Sequence, residues 1–334
     1  MSKPLVLITG GAGYIGSHVV LAFRDRDWPV AVVDDFSTGR RELLADDIPV
    51  YEGSIADAQL LRNIFAEQEI GAIIHFAGSI VVPESVEKPL AYYGNNTVAT
   101  HSLLNAAVAS GVRHILFSST AAVYGVPQRV PVDEMDPKEP INPYGASKLM
   151  TERMLEDSSA AYPLNYGALR YFNVSGADPE LRSGQMGTGS THLIKVAVEA
   201  AVGKRDHVDV LGTDYPTRDG TCIRDYIHVS DLAEAHVLAL ERLIERPREN
   251  LVLNCGYGKG HSVLEVLDAV DRVASTPVRR QMKSRRTGDP PELVASNRRL
   301  LQTLEWSPRF TDIDSIVSHA LDWERKLQNR PVRY

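Results

Sequence analysis

Tyr144 and Lys148 stand four residues apart in Pro143-Tyr-Gly-Ala-Ser-Lys-Leu-Met150. On a helix that spacing brings both side chains to one face. A phenol, with a pKa of about 10, is a poor base at neutral pH. A neighbouring cation favours the phenolate and turns the phenol into a usable proton acceptor. The spacing is common by chance, and alone it describes an exposed helix pair as well as a catalytic one. Ser118-Ser119-Thr120 closes an apolar run upstream. It reads either as a polar strand end or as hydroxyls that orient a substrate oxygen.

A second constellation gives that pair a context. Thr9-Gly-Gly-Ala-Gly-Tyr-Ile-Gly16 follows the apolar run Leu5–Thr9 and contains both Gly11-x-Gly13-x-x-Gly16 and Gly10-x-x-Gly13-x-x-Gly16. Glycines at this spacing allow a tight turn, backbone approach to a pyrophosphate and close helix–strand packing. The helix that follows offers free N–H groups and its positive dipole end to the phosphates. Asp34 and Asp35 come about twenty residues later, where a carboxylate bonds an adenosine ribose and repels a 2′-phosphate. Arg40 and Arg41 lie close by, but the acidic pair favours NAD over NADP. An oxidised nicotinamide would add its own positive charge beside Tyr144.

These residues need a sheet to hold them. Leu5–Thr9, Val30–Val33, Ala72–Phe76, His114–Ser118 and Tyr166–Arg170 read as buried strands, with helical patterns over Gly16–Arg26, Ala58–Gln68 and Asn96–Ser110. Such alternation predicts an α/β fold with a doubly wound parallel sheet. After about Asn173 the rhythm breaks. A Gly-rich stretch, Ser183–Gly189, leads into helices predicted over Thr191–Val202 and Ser230–Arg246, with a turn-rich segment, Gly212–Gly220, between them. The 334 residues exceed one usual domain of about 150. The expected division is a Rossmann-type NAD-binding domain over 1–172 and a smaller α/β substrate domain over 173–334, segments of which are free to return to the first. The net charge of −7 disfavours a nucleic-acid binder. No apolar stretch approaches the roughly 18 residues of a membrane helix. The start, Met1-Ser2-Lys3-Pro4, leads into too short an apolar run for a signal peptide. Cys222 and Cys255 form no disulfide framework and suit a reducing cytoplasm. A basic cluster, Arg279, Arg280, Lys283, Arg285 and Arg286, reads as a solvated face or an anion site. No histidine pair has metal-ligand spacing, so no metal is expected. The glycine cluster Asn254–Gly260 lacks the acidic residue of a nucleotide loop and reads as architecture. Cys255 reads as a small buried hydrophobe.

Taken together, the Gly10–Gly16 motif, Ser118–Thr120, Tyr144 and Lys148 resemble the extended short-chain dehydrogenase/reductase family, and within it the UDP-glucose (UDP-galactose) 4-epimerases. His75-Phe-Ala-Gly78, Tyr92-Tyr-Gly-Asn-Asn96, Leu169-Arg-Tyr-Phe-Asn173 and the run from Gly212-Thr-Asp-Tyr-Pro216 to Arg224-Asp-Tyr-Ile-His-Val229 carry the resemblance over nearly the whole chain. It implies a seven-stranded NAD domain and a cytoplasmic homodimer paired through the helix near Asn96–Ser110 and the helix bearing Tyr144. It implies NAD contacts at Gly10, Gly13, Tyr14, Ile15, Gly16, Asp34, Phe76, Ala77, Asn95, Ser118, Tyr144, Lys148 and Tyr171. It implies a UDP-sugar held by Asn173, the backbone near Leu193, Asp209 and Leu211, and the side chains of Arg224, Arg286 and Asp289. Tyr144 would remove the proton of the sugar 4-hydroxyl as hydride leaves C4, Thr120 would hold the 4-oxygen, and Lys148 would tune Tyr144. The 4-keto sugar would then turn over and take hydride back on its other face.

Five positions depart from the commoner family pattern: Ser54, Ile80, Thr120, His192 beside the sugar-nucleotide phosphates, and Leu293 at the wall that limits sugar size. The same C4 chemistry serves a UDP-pentose or UDP-N-acetylhexosamine 4-epimerase. A nucleotide-sugar dehydratase would carry an Asp-Glu pair after Thr120, where Ala121 and Ala122 stand. A non-enzymatic NAD-binding protein would typically lack the tyrosine.

Overall fold

The computed structural model describes residues 3–187, 189–286 and 288–329, so Met1-Ser2 and Thr188 of the glycine-rich stretch lie outside the described residues. Seven parallel strands build the main sheet: in chain order Leu5–Thr9, Val30–Asp34, Val50–Glu52, Ile70–His75, His114–Thr120, Asn165–Tyr171 and Leu251–Cys255. In space they run seventh, sixth, fifth, fourth, first, second, third. The order reverses between the first and fourth strands, which opens a crevice at their carboxyl ends where such sheets bind ligands.

Alternation along the first strand sends side chains into two cores. Val6 and Ile8 pack with Val20 and Phe23 of the helix Tyr14–Arg24 and with Leu232 and Leu240 of the helix Val229–Glu245. Leu7 joins Leu61, Leu103 and Phe117 on the other face. Each such fully buried side chain stabilises the fold by about 1.5–3 kcal/mol, so both faces are covered by apolar helices.

The five strands read from sequence are present with ends shifted by up to two residues. Val50–Glu52 is a sixth, too short and too exposed to show period-two alternation. The helix expected from Asn96 begins instead as a π-helical turn, Tyr93–Val98, that runs on into Ala99–Ala109. Such turns are frequent at functional sites.

Beyond Tyr171 the chain leaves the sheet. Asn173–Ser175, Gly260–Ser262 and Glu292–Leu293 all pair with Ile223–His228, while Val208–Leu211 pairs with Arg280–Lys283. Helices Leu193–Ala201, Val263–Ala274 and Ile313–Gln328 enclose a third core around Ile194, Val198, Leu267, Val270 and Ile316. The chain re-enters the main sheet at Leu251–Cys255. Among the contacts that tie the parts together, the Tyr14 hydroxyl donates to the Gly176 carbonyl at 2.7 Å, the Ser17 and Ser183 hydroxyls meet at 2.6 Å, and Arg182 donates to Asp25 at 2.9 and 3.0 Å. No helix among the described residues is long and apolar enough to cross a membrane.

Candidate active site

The glycine loop occupies the crevice. Gly10 adopts a positive φ of 68°, and a Cβ there would lie 2.7 Å from the Ala77 nitrogen. A Cβ on Gly16 would lie 2.2 Å from the Gly10 carbonyl oxygen, so only glycine permits the turn. The helix Tyr14–Arg24 starts at Gly13 with no side chain capping it. Its first N–H groups, including those of Ile15 and Gly16, are left to a ligand. Asp34 is buried at the end of the second strand, with one carboxylate oxygen accepting from the Ala12 N–H and the other from the Phe36 N–H, both at 2.9 Å. Burial pushes its carboxyl above the usual range, and those two bonds oppose the shift. The loop and the carboxylate thus form one rigid unit that fits a dinucleotide: a phosphate-sized backbone cradle with an acceptor at its edge.

Across the crevice, the helix Pro143–Ala161 is capped by Asn142, whose side chain accepts from the Gly145 N–H at 2.8 Å, with proline in its first turn. This places Tyr144 and Lys148 on the face toward the strand end Ser118–Thr120. The Lys148 ammonium donates to the Ser118 carbonyl at 2.9 Å and sits 4.9 Å from the centre of the Phe117 ring. Burial lowers its pKa to about 8. Tyr144 hydrogen-bonds the Thr120 hydroxyl; burial pushes its phenol up, and that bond opposes part of the shift. The chain's own groups therefore leave the phenol above its ordinary value. Any positive charge brought near the ring would favour the phenolate. Tyr171 hydrogen-bonds Ser118 and His236, whose ring packs against Phe76 with centroids 5.1 Å apart. Phe76 and Ala77 both donate their backbone N–H to the Thr9 carbonyl.

Asn95 is exposed and donates to the Ser79 hydroxyl at 2.9 Å. Its neighbour Asn96, not singled out from sequence, is the buried one. Its side-chain oxygen accepts from the Ser79 N–H at 2.7 Å, and its nitrogen donates to the Ser147 hydroxyl at 3.0 Å, joining the π-helical turn to the tyrosine helix. His75 links Thr9 to Thr100 through both ring nitrogens at 2.7 and 2.8 Å, and burial depresses its pKa to about 3. The sequence signals available were the adjacent pair Asn95-Asn96 and the stretch His75-Phe-Ala-Gly78, neither of which shows by itself that Asn96 and His75 link neighbouring elements.

On the second side of the cleft, Arg224, Arg286 and Asp289 come together. Asp289 accepts from Arg286 in a two-pronged bond at 2.8 and 2.9 Å and lies 3.6 Å from Arg224. Leu293 is the register partner of Arg224 and packs against a cluster containing Ala121, Tyr124 and Phe172. Asn173 pairs with Tyr226 at the start of the strand leaving the sheet. His192 precedes the helix Leu193–Ala201, which no side chain caps. Asp209 and Leu211 are exposed on the edge strand Val208–Leu211, and Asp209 lies 3.3 Å from His207.

The basic cluster divides. Arg280 pairs with Asp268 and Asp271 and Arg285 with Asp214, whereas Arg286 joins the cleft through Asp289. The glycine cluster after Asn254 wraps the buried Asp225, which accepts from the Tyr257 and Gly258 N–H groups at 2.9 and 2.8 Å. Its anion is the chain's own. Cys255 is fully buried, and burial raises its thiol pKa.

A model of the NAD dependent epimerase/dehydratase family matches residues 6–256. The UDP-glucose 4-epimerase of Azospirillum brasilense is 54% identical over 327 residues, covering 98% of this chain and 94% of its own. The UDP-glucose 4-epimerase of Brucella ovis in complex with NAD superposes with a TM-score of 0.92 at 43% identity, covering 96% of this chain and 98% of that one. The enzyme of Bifidobacterium longum in complex with NAD+ and UDP gives a TM-score of 0.92 at 37% identity, over 97% and 99% of the two chains.

Proposed function

The chain belongs to the NAD dependent epimerase/dehydratase family, and from that premise we propose that it is an NAD-dependent enzyme interconverting UDP-glucose and UDP-galactose by oxidation and re-reduction at sugar C4. The observation that carries this reading is the convergence of Tyr144, Lys148 and Thr120 on one end of the cleft and of Arg224, Arg286 and Asp289 on its other side.

NAD, when bound, supplies the hydride acceptor and then the hydride donor. The chain's residues do the rest. Gly10, Gly13 and Gly16 let the backbone approach a pyrophosphate, with Tyr14 and Ile15 at the helix start, and Asp34 offers its remaining lone pairs to a ribose. Phe76, Ala77, Asn95, Ser118 and Tyr171 line the same crevice in this reading. Tyr144 takes the proton of the 4-hydroxyl and later returns it. Thr120, already bonded to Tyr144, holds the 4-oxygen within reach. Lys148 keeps positive charge beside the phenol while anchored on Ser118.

Arg224 and Arg286 match their planar forks to diphosphate oxygens, and Asp289 holds both guanidiniums in the cleft. Asn173, His192, the Leu193 N–H, Asp209 and Leu211 complete the nucleotide contacts. Leu293 walls the sugar and favours hexoses over N-acetylhexosamines. In this division the NAD-binding part is residues 1–172, joined by the returning strand Leu251–Cys255, and the UDP-sugar part is most of 173–334.

The proposal extends to a cytoplasmic homodimer. Leu90 just before the π-helical turn, Val98 at its last residue and Met150 on the tyrosine helix are 83%, 61% and 46% exposed. A second copy of this surface would bury them. Sedimentation should give twice the chain mass; a monomer at micromolar concentration contradicts the pairing. The functional test is turnover of a panel of UDP-sugars by purified protein without added cofactor. Conversion of UDP-galactose to UDP-glucose is expected, and its absence overturns the reading.

A further inference from the structure

Ser119 stands between the two residues that serve the site, yet it points away from it. Alternation along the strand His114–Thr120 sends Ser118 and Thr120 to one face and Ser119 to the other. There it is the direct register partner of Arg170 on the neighbouring strand. Both reach the same carboxylate. The Ser119 hydroxyl and the Arg170 Nε donate to Glu152 Oε1, the latter at 2.9 Å, and a terminal Arg170 nitrogen donates to Oε2 at 2.6 Å. Glu152 belongs to the helix Pro143–Ala161, four residues after Lys148 and eight after Tyr144. The three therefore rise along one face at successive turns. Ser119, Glu152 and Arg170 are 1%, 7% and 2% exposed.

The Arg170 guanidinium has further partners. It donates to the Tyr124 hydroxyl at 2.7 Å and the Glu134 carbonyl at 3.1 Å. Tyr124 donates to the Asn254 side chain at 2.7 Å, and Asn254 donates to the Val132 carbonyl at 2.9 Å. Val132 exchanges backbone bonds with Val294 and Ser296, directly after Leu293. One buried network thus runs from the tyrosine helix, beneath the strand end, to the wall of the sugar subsite.

We propose that Glu152, gripped by Ser119 and Arg170, is a positioning residue that fixes the tyrosine helix against the strand end and so sets the reach of Tyr144 to Thr120 and to the substrate 4-hydroxyl. The inference rests on the functional reading above. The other polar contacts between helix and strand are Lys148 on Ser118 and Tyr144 on Thr120, which the chemistry itself must use, while Leu155 packs with Ile115 and Phe117 further along. Glu152 supplies an independent anchor one turn further on. With the carboxylate paired to Arg170, it adds no net charge beside Lys148.

Displacement of a reacting group by about 1 Å costs on the order of 100-fold in rate, whereas a merely structural pair changes melting and leaves kcat alone. The test uses the holoenzyme with Glu152→Asp, which keeps the charge and shortens the arm, and Ser119→Ala, which removes one bond without disturbing the ion pair. For both we expect kcat toward UDP-galactose to fall about 10-fold or more, with KM within about twofold of the parent and bound NAD per chain unchanged. If Glu152→Asp does not fold, Ser119→Ala decides alone. A folded, NAD-loaded variant whose kcat matches an active parent overturns the positioning role and leaves the functional reading standing. A parent inert toward UDP-galactose overturns the functional reading and this inference with it.

Discussion

Replacing Asp34 by asparagine should loosen the cofactor and blur its identity. Each Asp34 oxygen accepts one backbone N–H, from Ala12 in the glycine loop and from Phe36 beyond the second strand. Asparagine has one acceptor oxygen, so one of those donors would face an NH2 group. A buried donor left unpaired costs about 1–3 kcal/mol, which is about 5- to 150-fold in an equilibrium constant. That strain falls on the glycine loop proposed to cradle the pyrophosphate, so NAD affinity should drop within that range. A second effect concerns the 2′-phosphate. Two unit charges about 4 Å apart near a protein surface repel by about 4 kcal/mol, and Asp34→Asn removes that repulsion. The NAD-to-NADP affinity ratio should therefore fall about 10-fold or more. The assay is fluorescence titration of cofactor-stripped parent and variant with each nucleotide. Burial holds the Asp34 carboxyl above the usual range, so lowering the pH should reproduce the loss in the parent as the carboxylate protonates. A variant that binds NAD as tightly as the parent and still excludes NADP would refute the role given to Asp34.

Arg224→Leu and Arg286→Leu should each raise KM for UDP-galactose about 10- to 150-fold, the worth of a charge-assisted bond of about 1.5–3 kcal/mol. Bound NAD, measured by acid extraction of the same samples, should not change. Leu293→Gly opens the wall beside Arg224 and should raise kcat/KM for UDP-N-acetylglucosamine relative to UDP-glucose. A hydrophobic wall discriminates by only about 1–3 kcal/mol, so the ratio should move about 5- to 150-fold. An unchanged ratio would show that Leu293 does not face the sugar.

Much of the fold was legible because it is written in local signals. Apolar β-branched runs marked five strands of the sheet, and the glycine spacing marked the loop whose atoms leave no room for a Cβ. The strand Val50–Glu52 was not, since three half-exposed residues carry no periodicity. The π-helical turn was hidden because a wider turn changes no residue preference strongly; only the helical pattern from Asn96 showed. At the site, Tyr144, Lys148 and Asp34 were legible through spacing. Glu152 and Arg170 were not, because their pairing joins a helix to a strand through a sheet register that no single segment encodes. For the same reason the basic cluster read as one feature, while in the structure Arg280, Arg285 and Arg286 part to Asp268 and Asp271, Asp214, and Asp289.

The most direct test of Tyr144 as the proton acceptor at sugar C4 is kcat of Tyr144→Phe with bound NAD quantified on the same preparation. Phenylalanine removes the hydroxyl and its bond to Thr120 and leaves the glycine loop untouched. Loss of a general base costs about 10²- to 10⁴-fold. If Tyr144 is that base, kcat should fall by at least that order with NAD content equal to the parent. Near-parental kcat in an NAD-loaded Tyr144→Phe protein would contradict it.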